Sequence, residues 1–235
     1  VKTGDDAIVI KNTAPMAERY GACENIVISD CVLYSRDSAL KVGTETFKAI
    51  RNVMLSDCVF KDCSRGVGIW VRDGATVEDI HVHHVSGNVL RYAHSITPGN
   101  SSRWWGVGEP IFISATRRRK PGVLPGMIRD VTFDHIYMTA ESCVFIAADD
   151  DCPIANVRID DMQLTLRSQG TQPNDSFDEQ PGRRDVYPAE VPAVYVRNAN
   201  DVRVNGLLRR EGEYSKRPVS MVEHGQKVRI DLEEL

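Results

Sequence analysis

The 235-residue sequence contains no apolar run long enough to span a bilayer, so no transmembrane helix and no membrane partner are expected. It has no surplus of basic residues. Its 29 Lys and Arg stand against 33 Asp and Glu, for a net charge of −4, whereas nucleic-acid binders usually carry a basic face; no nucleic-acid partner is expected. None of the six cysteines (Cys23, Cys31, Cys58, Cys63, Cys143 and Cys152) makes a Cys-x-x-Cys pair, and there is no His-Glu-x-x-His, so a zinc site has little support. Gly-x-Ser-x-Gly and a phosphate loop are missing too. Neither a signal peptide nor an initiator Met is present, and Val1 begins in mid-pattern, which predicts a processed or truncated chain. What remains is ordinary for a globular protein: 42% hydrophobic and 26% charged residues, in a length that predicts one domain over 1–235.

What is present in quantity is a repeat. Asn25-Ile26-Val27-Ile28-Ser29-Asp30-Cys31 is echoed by Asn52-Val53-Met54-Leu55-Ser56-Asp57-Cys58. Asp79-Ile80-His81-Val82, Asp130-Val131-Thr132-Phe133, Asn156-Val157-Arg158-Ile159 and Asp201-Val202-Arg203-Val204 follow the same pattern. Ile26, Val53 and Ile80 are about 27 residues apart, a spacing that marks stacked repeats. Longer gaps farther on predict insertions near 87–109 and 168–190, both read as loops.

A second strand recurs within each repeat: Ala7–Ile10, Ala39–Val42, Gly68–Val71, Ile111–Ile113, Val144–Ile146 and Val194–Val196. Period-2 apolar alternation, β-branched residues and the lack of a helical stripe predict an all-β fold, a right-handed single-stranded parallel β-helix. On that reading Ile26, Val53, Ile80, Val131, Val157 and Val202 form one inward ladder. Ile28, Leu55, Val82, Phe133, Ile159 and Val204 form the next. The Asn or Asp ahead of each ladder reads as a turn residue, and His83, His84 and His135 as wall residues. Cys31 and Cys58 hold equivalent places, which suits stacked thiols.

Thr3-Gly4-Asp5-Asp6 leads directly into the first of these strands. Alone, Gly-Asp-Asp is common turn chemistry. Paired carboxylates at the mouth of a strand also cost desolvation unless they are bonded, paired or set in a cleft.

Gly4-Asp5-Asp6 before a strand, the Asn-(apolar)-x-(apolar)-Ser-Asp-Cys repeats and Lys41-Val42-Gly43-Thr44-Glu45 together resemble glycoside hydrolase family 28. That is the polygalacturonase and rhamnogalacturonan hydrolase family of parallel β-helices. Arg72-Asp73-Gly74-Ala75 and Glu109-Pro110-Ile111-Phe112-Ile113 are similar to its less typical bacterial branch. The resemblance implies a secreted or periplasmic enzyme that needs no cofactor and hydrolyses a polysaccharide or oligosaccharide with inversion. It implies Asp5 as general acid. It implies Asp6 as an activator of water, together with an Asp from an Asn-Thr-Asp in a preceding coil that this chain lacks. Inverting carboxylates stand about 6.5–9.5 Å apart, with room for water between them.

The family's Gly-His-Gly would fall at Asp37-Ser38-Ala39, with Ser38 where a histidine is expected. Its Arg-Ile-Lys would fall at Gly68-Ile69-Trp70, without either cation, which loosens the substrate from plain polygalacturonate. Lys41 between inward Leu40 and Val42, and Trp70 and Arg72 flanking inward Val71, read as outward. Lys11, Lys41 and Arg72 are candidates to pair with a sugar carboxylate or sulfate. Ser38 and Glu45 are further candidate contacts, and Trp70, Trp104 and Trp105 are candidates to stack on sugar rings. Trp104-Trp105 reads equally well as a loop plug. Arg117-Arg118-Arg119-Lys120 is either a solvated loop or a contact for anionic substrate, and Arg117 is the candidate there. Asp149-Asp150-Asp151 lacks the spaced acceptors of a Ca²⁺ loop and reads as a turn, so no metal is expected. A lyase or epimerase using Lys or Arg as base, and a non-catalytic carbohydrate-binding module, are the competing readings of the same scaffold.

Overall fold

The computed structural model describes residues 1–92, 106–118, 121–179, 186–188 and 190–235. In chain order the strands begin with β1 (Lys2–Thr3), β2 (Ile8–Asn12), β3 (Cys23–Ser29), β4 (Val32–Ser35), β5 (Ser38–Thr46) and β6 (Ile50–Cys63). They continue as β7 (Arg65–Val71), β8 (Thr76–Val89), β9 (Glu109–Ala115), β10 (Met127–Ala140), β11 (Val144–Ala148) and β12 (Ile154–Leu166). The last are β13 (Ser176–Asp178), β14 (Val186–Pro188), β15 (Val194–Arg197), β16 (Ala199–Arg210), β17 (Ser220–Glu223) and β18 (Gln226–Glu234). No helix among the described residues is long and apolar enough to cross a membrane.

Successive strands alternate between two parallel sheets. One has nine strands, ordered β1-β4-β6-β8-β10-β12-β16-β18 with β3 also paired to β6. The other has seven, ordered β17-β15-β11-β9-β7-β5-β2. Each strand therefore hydrogen-bonds to its equivalents one repeat earlier and one repeat later. The register joins Ile26, Val53, Ile80, Val131, Val157 and Val202 in one row, and Ile28, Leu55, Val82, Phe133, Ile159 and Val204 in another, as their spacing predicts. These rows face Val42, Ile69, Ile113, Ile146 and Val196 of the second sheet across a continuous core. Each fully buried aliphatic side chain contributes about 1.5–3 kcal/mol, so stacking like on like builds stability repeat by repeat.

The Asn and Asp ahead of the rows do bend the chain, but inside long strands. Asn25, Asn52, Asp79, Asp130, Asn156 and Asp201 all have φ between 52° and 61°, the left-handed region these residues tolerate best. Asn52 Nδ2 donates to Asn25 Oδ1 at 2.6 Å, and Asn156 Nδ2 to Asp130 Oδ1 at 2.6 Å, so two neighbouring pairs of the column are bonded side chain to side chain. A second left-handed column runs through Asp30, Asp57, His84, His135 and Asp161. The His84 and His135 rings stack 4.6 Å apart on this outer wall. At Gly87, φ is +137° and an added Cβ would lie 1.9 Å from the Phe60 carbonyl oxygen of the adjoining strand. Gly87→Ala is expected to cost about 2–4 kcal/mol, read as a lowered urea midpoint; an unchanged midpoint would mean that the close approach is not required.

Two smaller elements lie outside the parallel sheets, and the second corrects an expectation. Between β2 and β3, Ala14–Tyr20 forms a short helix, α1, with Pro15 in its first turn and Ala17 as its buried residue. A one-sided contact this small leaves no apolar stripe to recognise. The 168–190 insertion is not only loop, because β13 and β14 pair antiparallel within it. Phe177 and Tyr187 are directly opposite each other and stack at 4.7 Å, which organises an otherwise polar stretch. All six cysteines are free thiols; Cys58, Cys63, Cys143 and Cys152 are buried, and Cys23 and Cys31 are half-buried.

Candidate functional site

Asp5 and Asp6 lie in the turn between β1 and β2, where the chain passes from one sheet to the other. The turn is held from below by serine. Ser35 Oγ donates to the Asp5 carbonyl at 2.6 Å and accepts the Asp37 N–H at 2.9 Å, tying one repeat to the next. Asp5 Oδ1 accepts the Asp6 N–H at 2.9 Å. Asp6 Oδ1 accepts the Ser38 N–H at 3.2 Å, and Asp6 Oδ2 pairs with Lys41 Nζ at 2.9 Å.

Asp37 completes the cluster, with carboxylate oxygens of Asp5, Asp6 and Asp37 all within 4.8 Å of one another. Its side chain is buried, with Oδ1 3.1 Å from Arg65 Nη1 and Oδ2 3.6 Å from Lys41 Nζ. Burial pushes the Asp37 carboxyl up to about 6, and Asp6 and Asp5 add to the rise against the opposing pull of Arg65 and Lys41. Arg65 is fully buried and also pairs with Glu109 Oε1 at 3.4 Å. Burial alone would lower its pKa; Glu109 and Asp37 more than reverse that and hold it charged. The guanidinium also lies over the rings of Phe112 (4.5 Å) and Trp70 (5.0 Å).

A cleft of about 180 Å³ opens above these groups, lined by Asp5, Asp6, Val9, Lys11, Lys41, Gly43 and Thr44. Lys41 is paired in register with Val9 and Gly68, which puts it on the outward face, as expected. Lys11 shares this cleft and pairs with Glu45 at 2.7 Å. Ser38 is buried and reaches the site through its backbone N–H and through a 3.3 Å bond from Oγ to Asp37 Oδ1, so it faces the aspartates and not solvent.

Trp70 and Arg72 are expected to stand exposed on the outward face, but both are buried. Trp70 folds back over Gly68, where an added Cβ would lie 2.1 Å from the ring. It begins an aromatic row in which Trp70–Phe112, Phe112–Phe145 and Phe145–Tyr195 centroids are 5.1, 4.7 and 5.3 Å apart. Phe177, Tyr187, Val107 and Val191 pack on this row. Arg72 donates to Ser114 Oγ and to the Ser114 carbonyl, each at 2.9 Å; burial lowers its pKa to about 10. Ser114 Oγ donates to Glu179 Oε1 at 2.9 Å, and Arg197 pairs with Glu179 Oε2 at 2.9 Å, which fastens the insertion to the sheet. The outward face is therefore covered from β7 to β15 and stays open at β2 and β5. Arg117 is elsewhere, paired with Asp151 at 2.9 Å. Asp150 accepts from Asn198 Nδ2 at 2.8 Å, in keeping with a turn at 149–151. Trp104 and Trp105 lie outside the described residues.

Larger hollows lie elsewhere on the molecule. One of about 740 Å³ is lined by Asp62, Asn88, Gln169 and Glu211, and within it Asn88 Nδ2 already donates to Asp62 Oδ1 and Gln169 Oε1. Another, of about 610 Å³, runs along the outer wall of the nine-stranded sheet past Val27, Met54 and His81. The first also holds Glu213 and Arg167, which lies 3.9 Å from Glu211. A third hollow, of about 410 Å³, sets Asp149, Asp150 and Asp151 beside Arg197. Among the described residues, three carboxylates come within 4.8 Å of one another only at the Lys41 cleft. No protein-family model matches this chain, and no curated protein matches it.

Sequence reasoning missed Asp37 and Arg65. The signal available for Asp37 was its position immediately before a strand, in line with Asp5 one repeat later. For Arg65 it was a lone cation opening a strand with no other charge before Arg72.

Proposed function

We propose that the two parallel sheets wind as a right-handed parallel β-helix, and that the chain is a glycoside hydrolase for an acidic, pectin-like polysaccharide or oligosaccharide. The observation that carries this reading is the three-carboxylate cluster beside Lys41, at the open β2 end of a sheet face that is covered from β7 to β15. Asp5 makes no ion pair among the described residues and lines the cleft, so it suits the general acid that protonates the departing glycosidic oxygen. Asp6, oriented by Lys41 and the Ser38 N–H, suits the base that draws a proton from the attacking water. The resemblance implies attack by water on the face opposite the leaving group, with inversion. The Asp5 and Asp6 oxygens, within 4.8 Å of one another, stand closer than the about 6.5–9.5 Å of an inverting pair, so product configuration decides between inversion and retention. Lys11 and Lys41 supply the positive charge that favours a uronate or sulfated sugar. The cover over β7 and beyond supports a short oligosaccharide or a chain end as the substrate. A secreted or periplasmic location is consistent with such a substrate.

Lys41 is shared between two carboxylates and Arg72 is bonded to Ser114 and backbone carbonyls, so neither is presented as the base a lyase would need. The test is release of reducing ends from pectin, rhamnogalacturonan and other acidic glycans, with product configuration followed by proton NMR. Release with inversion, absent from the Asp5→Asn, Asp6→Asn double variant, is the expected result. An unsaturated product absorbing in the ultraviolet would replace hydrolysis with elimination. Binding without turnover would make the chain a carbohydrate-binding module.

A further inference from the structure

Asp37 does not line the cleft, yet it competes for the one ammonium that lies between it and Asp6. Lys41 Nζ stands 2.9 Å from Asp6 Oδ2 and 3.6 Å from Asp37 Oδ2. We propose that Asp37 is a positioning residue for substrate charge: its protonation state decides how much of the Lys41 ammonium the cleft offers to an acidic sugar. This rests on the reading of the cleft as a glycan site.

The surroundings make Asp37 suited to this task. Facing it are Asp5 and Asp6 from the turn before β2, Lys41 on β5 and Arg65 on β7. Behind Arg65 stand Glu109 on β9 and Asp178 on β13. Arg65 divides its charge between Asp37 and Glu109, so it does not neutralise Asp37 outright. Burial together with the two neighbouring aspartates lets Asp37 keep its proton to about pH 6. Below that pH Lys41 serves Asp6 and the bound sugar. Above it, a third anion appears beside the cleft and draws on Lys41, and an anionic sugar meets both effects. A neutral sugar of the same shape meets neither.

The experiment measures binding of trigalacturonate and of its methyl ester to the Asp5→Asn protein by calorimetry at pH 5 and pH 7.5. Affinity for the acid is expected to fall about five- to tenfold over that interval, the effect of one added charge several ångströms away in partly screened surroundings, while the ester stays level. Adding Asp37→Asn should abolish the fall. A fall that survives Asp37→Asn, an equal fall for the ester, or no binding of the acid at either pH would overturn the inference. Hydrolysis of some other glycan that depends on Asp5 would still leave the enzyme reading standing. Should Asp37→Asn fail to fold, carbon-13 NMR of the wild-type aspartate carboxyls is the second measurement. Asp37 should titrate near pH 6, with its midpoint moving up in Lys41→Gln. A midpoint that Lys41→Gln leaves in place would show that the two groups are not coupled.

Discussion

Arg65→Leu is expected to lower the unfolding free energy by about 3–5 kcal/mol at pH 7.5, and by clearly less at pH 5. Arg65 is fully buried between Asp37 and Glu109, and leucine would leave both carboxylates without their main counter-charge. The pH dependence follows from the direction of the Asp37 shift. Its folded pKa lies near 6 against an ordinary 3.8, so the folded state holds the Asp37 proton more tightly than the unfolded chain does. That contribution to stability is fully present below about pH 4 and is lost as pH rises through about 6, on the order of 3 kcal/mol for roughly two units. Removing Arg65 takes away an influence that lowers this pKa, so the loss deepens above pH 6 and shrinks where Asp37 is neutral. Urea unfolding at the two pH values, followed by circular dichroism, checks this. A loss equal at both would show that Asp37 does not carry the effect.

On the proposed mechanism, Asp5→Asn should reduce kcat at least about 10³-fold on a glycan whose leaving group is another sugar, with a small change in KM. A sugar alkoxide leaves poorly unless it is protonated, and asparagine has no proton to give. An aryl glycoside with an acidic phenol needs no such help, so the variant should approach wild-type rates on that substrate. Asp6→Asn should fall on both substrates, because water activation is needed in either case. Steady-state rates on the matched pair of substrates separate the two roles. Equal loss on both by Asp5→Asn would remove its assignment as the acid.

The repeat could be read residue by residue, because it is written in local chemistry. Valine and isoleucine at every second position, and Asn or Asp where the backbone must turn left-handed, mean the same thing in every repeat. The two rows from Ile26 to Val202 and from Ile28 to Val204 therefore fell into register as their spacing required. The aspartates were visible for the same reason, since Gly4-Asp5-Asp6 stands at the entry to a strand.

Exposure follows different rules. Trp70 and Arg72 do alternate with the inward Val71, but alternation gives only the face and not what lies over it. Phe177 and Glu179, about a hundred residues farther along the chain, cover that face and take Arg72 into a bonded network through Ser114. The site divides in the same way. Asp5 and Asp6 are adjacent in the chain, whereas Asp37 and Arg65 reach them only when repeats stack at the spacing of neighbouring strands. The Gly-Asp-Asp turn by itself supplied a pair of carboxylates. Stacking set a third beside them, placed Lys41 between Asp6 and Asp37, and closed the sheet beyond. Lys41 and Asp37 are near neighbours in the chain, but both meet Asp5 and Asp6 across some 30 or more positions, and no pattern confined to one strand encodes that meeting.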